Sequence, residues 1–308
     1  MGHVGAMTRA AVVDVGTNSV RLLVAEPGAP LDVLDRRMTI TRLGAGVDAN
    51  GRLDDAALAR TLDCIAAYAD RWGELGAQRV RITATSAIRD AVDRERFFDG
   101  VRKRTGVSAE VLTGEEEART TFRGAVTSVD GKPPYVVLDI GGGSTEFIRG
   151  ASEPEAMTSR QLGCVRLTER CLASDPPTSE EIRAANDVID LELAEVERLV
   201  DPLAARTLIG VAGTVTTLAA LHLGLDEYDP ERVHGMSVGA HAVTTLTAWL
   251  AGMPMAERAA LGPVQPGRED VIVGGALILC RAMGRFAFGD VLVSEADILH
   301  GLALGLLE

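Results

Sequence analysis

Two short runs of β-branched residues, 12–15 and 20–25, flank a Gly-Thr-Asn-Ser turn, and this predicts two strands joined tightly. Residues 31–43 continue as a third strand, followed by the loop GAGVDANG. Over 54–72 the apolar residues Leu58, Leu62, Ile65, Ala69 and Trp72 step by four, three, four and three. That spacing puts them on one face of an amphipathic helix. Further strands are predicted at 80–83 and 109–112, helices at 94–104 and 114–125, and a polar turn around Arg89.

The second half repeats this order. Residues 135–140 and 145–149 predict a strand pair around a glycine loop. Thr178-Ser-Glu-Glu181 forms a capping-box pattern, and the helix it opens carries Ile182, Ala185, Ile189, Leu193 and Val196 on one face. Strand 208–211 runs into the glycine turn of GVAGTVTTLAAL and a helix. Helices at 271–283 and 298–307 flank a short strand at 290–293. The stretch from Gly124 to Pro134, with SVDGKPP, breaks the pattern and predicts the hinge. The expectation is two α/β domains of similar order, at 8–124 and 125–297.

A chain of 308 residues, 46% hydrophobic, is long enough for one large domain or two ordinary ones. The formal charge of −13 argues against a general nucleic-acid binder, but leaves room for an anionic substrate held by local positive potential. Of the 31 basic residues only Lys103 and Lys132 are lysine. Cys64, Cys164, Cys171 and Cys280 lie far apart with no CxxC pair, which fits reduced thiols in a cytoplasmic protein. No apolar run is long enough for a membrane span. The opening MGHVGAM reads as a leader, with Met7 as the natural start.

The chemistry concentrates in two loops. Asp14-Val-Gly-Thr-Asn-Ser19 and Asp139-Ile-Gly-Gly-Gly-Ser144 share one grammar, 125 positions apart (139 − 14). One such loop would be a hairpin turn. Two, each with an aspartate ending an apolar strand, ask what makes a carboxylate affordable there. Glycines let backbone N–H groups converge on an anion, and a neighbouring carboxylate recruits Mg²⁺, which takes one or two protein carboxylates besides phosphate oxygens. Neither loop is a Walker-A site or a dinucleotide fingerprint.

These loops resemble the two phosphate loops of the acetate and sugar kinase, heat-shock protein and actin superfamily. ATSAIRDAVDRERF, LTGEEEARTTFRGA, LGCVRLTER, GVAGTVTTLAAL and GREDVIVGGALIL narrow the resemblance to the exopolyphosphatase and guanosine pentaphosphate phosphatase family. It implies two ribonuclease-H-like (actin-like) domains, mixed sheets flanked by helices, with the active site in the interdomain cleft. The last helix, 298–308, would pack on the first domain. By the same resemblance Glu117 activates the attacking water and Arg89 clamps phosphate. Gly16, Thr17, Asn18, Ser19, Gly141, Gly142, Gly143 and Ser144 donate to phosphate oxygens, and Asp14, Asp139 and Glu146 serve the metal. Glu115, Glu116 and Glu117 also suit a helix N-terminus, where acids complement the dipole. The implied cofactor is Mg²⁺, with Mn²⁺ and a monovalent cation as further options. The implied partner is polyphosphate or a phosphorylated guanosine nucleotide, with no nucleic acid, no membrane and a homodimeric assembly.

The expected function is removal of the terminal phosphate of polyphosphate, with guanosine pentaphosphate as the rival substrate. A small-metabolite kinase is a further alternative, weakened by GEEEA because a kinase uses the acceptor hydroxyl as nucleophile. A nucleotide-gated binding or filament protein is the last, without long insertions to mediate assembly. Family members often carry Gly-Leu-Arg-Glu-Gly near the end, where this chain has SEADILHG.

Overall fold

The computed structural model describes residues 8–29 and 31–308; the expected leader at 1–6 lies outside them. The chain divides into two compact units, one of residues 1–113 with 298–308 and one of residues 114–297.

The first unit holds β1 (Ala10–Val15), β2 (Ser19–Pro27), β3 (Leu31–Ile40), α1 (Val47–Asn50), α2 (Asp55–Glu74), β4 (Arg79–Ala84), α3 (Ser86–Asp90), α4 (Glu95–Thr105) and β5 (Ala109–Val111). Its sheet runs β3-β2-β1-β4-β5, antiparallel among the first three strands and parallel from β1 to β4 to β5. Every residue of β1 is buried, as a central strand covered on both faces must be. Ala11, Val13 and Val15 pack with Leu58, Leu62 and Ile65 of α2. Val12 and Leu23, on the other face, pack with Ile298, Leu299 and Leu302, so Asp14 projects from that second face.

The second unit holds α5 (Gly114–Val126), β6 (Tyr135–Ile140), β7 (Thr145–Gly150), β8 (Pro154–Arg160), α6 (Cys164–Cys171), α7 (Ser179–Val200), β9 (Thr207–Val211), α8 (Ala212–His222), α9 (Pro230–Val233), β10 (Ser237–Gly239), α10 (Ala240–Ala251), α11 (Met255–Ala259), α12 (Ile272–Arg285) and β11 (Asp290–Val293). The chain then returns to the first unit as α13 (Ile298–Leu307). The second sheet runs β10-β11-β9-β6-β7-β8. Without β10 it repeats the first: three antiparallel strands, then two parallel ones. This is the ribonuclease-H-like arrangement, present twice, with one antiparallel edge strand added.

Helix α5 falls on the other side of the expected boundary at 124. Its buried residues Ala118, Phe122 and Ala125 pack with Val137, Ile148 and Ile209 of the second sheet, so helix and sheet share one core. The opposite face of that sheet meets α7, α8 and α12 through Leu138, Phe147, Ile189, Leu218 and Ile278. The predicted turn at Arg89 is the short helix α3. Seven elements not predicted from the sequence, α1, β8, α6, α9, β10, α10 and α11, are short or weakly patterned. β8 is an edge strand, α6 starts from Gly163 without a side-chain cap, and α10 carries the poor helix formers Thr244, Thr245 and Thr247 in its middle.

Candidate active site

In the second unit, strand alternation sends Val137 and Asp139 to the face that α5 covers. Register then aligns three polar residues across three strands: Asp139 pairs with Glu146, and Glu146 with Ser159. All three point under α5. Asp139 is 6% exposed and Glu146 1%. The Ser159 hydroxyl donates to Glu146 Oε1 at 2.6 Å, and Thr121 of α5 reaches Asp139 Oδ2 at the long limit of 3.5 Å. Glu117 lies one turn before Thr121 on the same buried helical face, while Glu115 is exposed and paired with Arg119. The acidic helix start thus splits: Glu115 serves the surface and Glu117 faces the sheet. Two buried carboxylates on opposed strand positions repel each other, a disposition that suits a cation. Among the described residues no three His, Cys, Asp or Glu side chains group as a metal cluster. The two carboxylates and the Ser159 hydroxyl are hard oxygen donors, a set compatible with Mg²⁺, which needs few protein carboxylates.

The loop after Asp139 is shaped by contacts far away in sequence. Gly141 N–H donates to Ser144 O at 3.0 Å, closing the hairpin. Cys164 N–H donates to Gly141 O at 2.9 Å, and Val165 and Arg166 N–H groups to Gly142 O at 2.9 and 3.1 Å. The Arg166 guanidinium Nε donates to Gly143 O at 2.8 Å. The first-turn amides of α6, which a helix cannot satisfy internally, thus hold the loop carbonyls. A trans peptide sets its C=O and the following N–H on opposite sides. The N–H groups of Gly142, Gly143 and Ser144 accordingly face away from α6. Packing is close enough that a Cβ on Gly163 would lie 2.3 Å from Gly142 O.

The first unit uses the same device with other parts. Gly16 N–H donates to Ser19 O at 2.9 Å, Gly44 N–H to Thr17 O at 2.8 Å, and Thr41 and Arg42 N–H groups to Asn18 O at 3.0 and 2.9 Å. By the same planarity the amides of Asn18 and Ser19 face the other way. Thr17 Oγ1 lies 2.9 Å from Ser86 Oγ, tying the loop to α3. From that helix Arg89 donates through Nη1 to Leu112 O at 3.1 Å.

The two aspartates differ in their cross-strand partners. Opposite Asp14 stands Arg21, whose Nη2 donates to Asp14 Oδ2 at 2.6 Å; opposite Asp139 stands Glu146. The structure thus brings Asp139 and Glu146 together and gives Asp14 a guanidinium instead.

Sequence reading did not single out Ser159, Arg166 or Arg21. Arg21 alone had a local signal, as the strand residue whose side chain shares a face with Asp14. Gly213, in the glycine turn of GVAGTVTTLAAL, abuts the Arg268 guanidinium, which a Cβ there would overlap. Cys164 is buried, and burial pushes its thiol up to about 11, the behaviour of a packing thiol. Beside Ser159 a cavity of about 450 Å³ is lined by Gly114, Glu115, Arg119 and strand residues 154–159.

Comparison with known proteins is decisive here, since the profile of the Ppx/GppA phosphatase family matches residues 23–308. The chain belongs to the Ppx/GppA phosphatase family. It is 45% identical to Exopolyphosphatase 2 of Mycobacterium tuberculosis, over 98% of this chain and 99% of that one. It is 34% identical to the guanosine-5'-triphosphate,3'-diphosphate pyrophosphatase of Photobacterium profundum, over 70% of this chain and 44% of that protein. Among solved structures, an exopolyphosphatase-like protein matches with TM-score 0.93 at 36% identity, over 96% and 98% of the two chains. The Aquifex aeolicus Ppx/GppA enzyme matches with TM-score 0.82 at 31% identity, over 97% and 99%. The twice-repeated α/β fold is therefore the Ppx/GppA fold.

Proposed function

We propose that the chain is an exopolyphosphatase, hydrolysing the terminal phosphoanhydride of inorganic polyphosphate with a water held by Glu117. The observation that carries this reading is the row Asp139–Glu146–Ser159 beneath α5, beside a glycine loop whose amides face away from α6. Phosphoryl transfer relies on positioning and charge stabilisation, and both kinds of group are present. The amides of 142–144 would hold oxygens of the terminal phosphate. Glu117, buried to 8% exposure and carried on a helix packed into the core, would accept a proton from the attacking water and fix its direction. In the first unit, the amides of Asn18 and Ser19 and the Arg89 guanidinium are assigned to phosphate oxygens. Asp14 is assigned to holding Arg21, a narrower task than the metal role the resemblance implied. Asp139 and Glu146 would hold Mg²⁺, or Mn²⁺ in its place; when bound, the ion neutralises phosphate charge.

The full-length similarity to Exopolyphosphatase 2 supports polyphosphate over guanosine pentaphosphate, the second reading. The guanosine-nucleotide relative is matched over less than half its length. The test is phosphate release with Mg²⁺ from tripolyphosphate, long polyphosphate, guanosine pentaphosphate and ATP. Wild type should prefer a polyphosphate, and Glu117→Gln should lose about a hundredfold or more, the scale of a general base. Full activity in Glu117→Gln would sink the choice of base. ATP turnover only with an added acceptor would move the reading to a kinase.

A further inference from the structure

Arg166 stands in the first turn of α6, where the helix dipole disfavours a cation and an acid is the usual choice. Its place is explained by what it touches: Nε donates at 2.8 Å to Gly143 O, the last of three consecutive loop carbonyls. The other two are held by the backbone amides of Cys164, Val165 and Arg166 itself. Without the side chain, α6 has no further amide for this carbonyl, because Leu167 N–H is already bonded to Gly163 O at 2.8 Å. We propose that Arg166 is a positioning residue of the phosphate loop, fixing the Gly143–Ser144 peptide so that the Ser144 amide faces the bound phosphate. This deepens the reading above and rests on the loop being its phosphate site.

Two physical consequences follow. A peptide pinned through its carbonyl cannot rotate, so the Ser144 N–H is oriented before substrate arrives and little ordering remains to be done on binding. A charge-assisted bond to the carbonyl also polarises the peptide and makes its N–H a stronger donor, as in any hydrogen-bonded chain. Arg166 therefore sets affinity for the phosphate end of the substrate, while the proton chemistry at Glu117 is left alone.

The experiment compares wild type, Arg166→Ala, Arg166→Gln and Arg166→Lys. It reads KM and kcat on tripolyphosphate, Kd for a non-hydrolysable P–N–P analogue by calorimetry, and the melting temperature. Arg166→Ala should raise KM and Kd together by about ten- to a hundredfold, the scale of one charge-assisted hydrogen bond. Its kcat should change far less, as expected for an interaction already made in the ground state. Lysine at 166, or millimolar guanidinium added to the alanine variant, should recover part of the loss. A general structural defect would instead lower the melting temperature and resist both rescues, which would overturn the proposal. So would unchanged KM and Kd. If Arg166→Ala fails to fold, Arg166→Gln carries the same comparison. Should wild type bind the analogue yet release no phosphate, the hydrolase reading falls while the Kd comparison still decides the role of Arg166. Absence of binding by wild type overturns both.

Discussion

Gly163→Ala tests the clamp on the loop 141–144 most directly, because the strain it introduces is purely steric. Gly163 has φ −129°, a value any residue adopts, so backbone conformation costs nothing. The added Cβ would lie 2.3 Å from Gly142 O, 2.4 Å from Gly142 C and 2.6 Å from Gly143 C. All three are backbone atoms and none can swing aside. Bringing the nearest to 3.0 Å, below which real Cβ atoms essentially never come, needs a displacement of about 0.7 Å (3.0 − 2.3). Overpacking of this kind costs about 1–3 kcal/mol, and a misplacement approaching 1 Å at a reacting centre costs up to about a hundredfold in rate. Gly163→Ala should therefore lose about 1–3 kcal/mol in urea unfolding, and ten- to a hundredfold in kcat/KM on tripolyphosphate. Gly73→Ala is the control: it lies inside α2 with nothing within 4 Å of a Cβ, and should gain about 0.5–1 kcal/mol. A Gly163→Ala enzyme within twofold of wild type in kcat/KM, and as stable, would refute the clamp.

Three further outcomes are expected. Arg21→Met leaves buried Asp14 without its ion-pair partner and should cost about 3 kcal/mol in urea unfolding, the scale of a broken buried pair; a loss under 1 kcal/mol would mean the pair is incidental. Ser159→Ala removes the donor that orients Glu146 and should lower Mn²⁺ affinity, followed by the spin-resonance signal of free Mn²⁺, by about tenfold or more; unchanged affinity would remove Glu146 from the cation site. Glu181 is held down to about 2 by the backbone amide and hydroxyl of Thr178 and by Ser174. A depressed folded pKa means stability present above the unfolded value of 4.5 and lost as pH falls toward 2, so Glu181→Gln should flatten that part of the acid-unfolding curve, and an unaltered curve would exclude the cap from it.

Much of this protein can be read from the chain. Strand and helix periods locate most elements because each depends on neighbours within a few positions. The grammar of Asp14–Ser19 recurs at Asp139–Ser144 because both hairpins need small residues at the same places. The motif around Glu117 marks its helix and, through the family resemblance, supplies the role proposed for it. None of these readings requires knowing what lies across the sheet.

Partners distant in sequence were decided only by the tertiary structure. Both aspartates end an apolar strand in the same way, yet cross-strand register sets Arg21 against one and Glu146 against the other, so one is neutralised and the other joins a pair of like charges. The two loops turn their amides the same way, but residues 41–44 hold one and the start of α6 the other. Helix α5 adjoins the first domain in sequence and packs in the second, because its apolar face fits the sheet that carries Asp139. A local pattern specifies which face of an element is apolar. Which other element covers that face, and which polar atom then comes within 3 Å, depends on how the whole core closes.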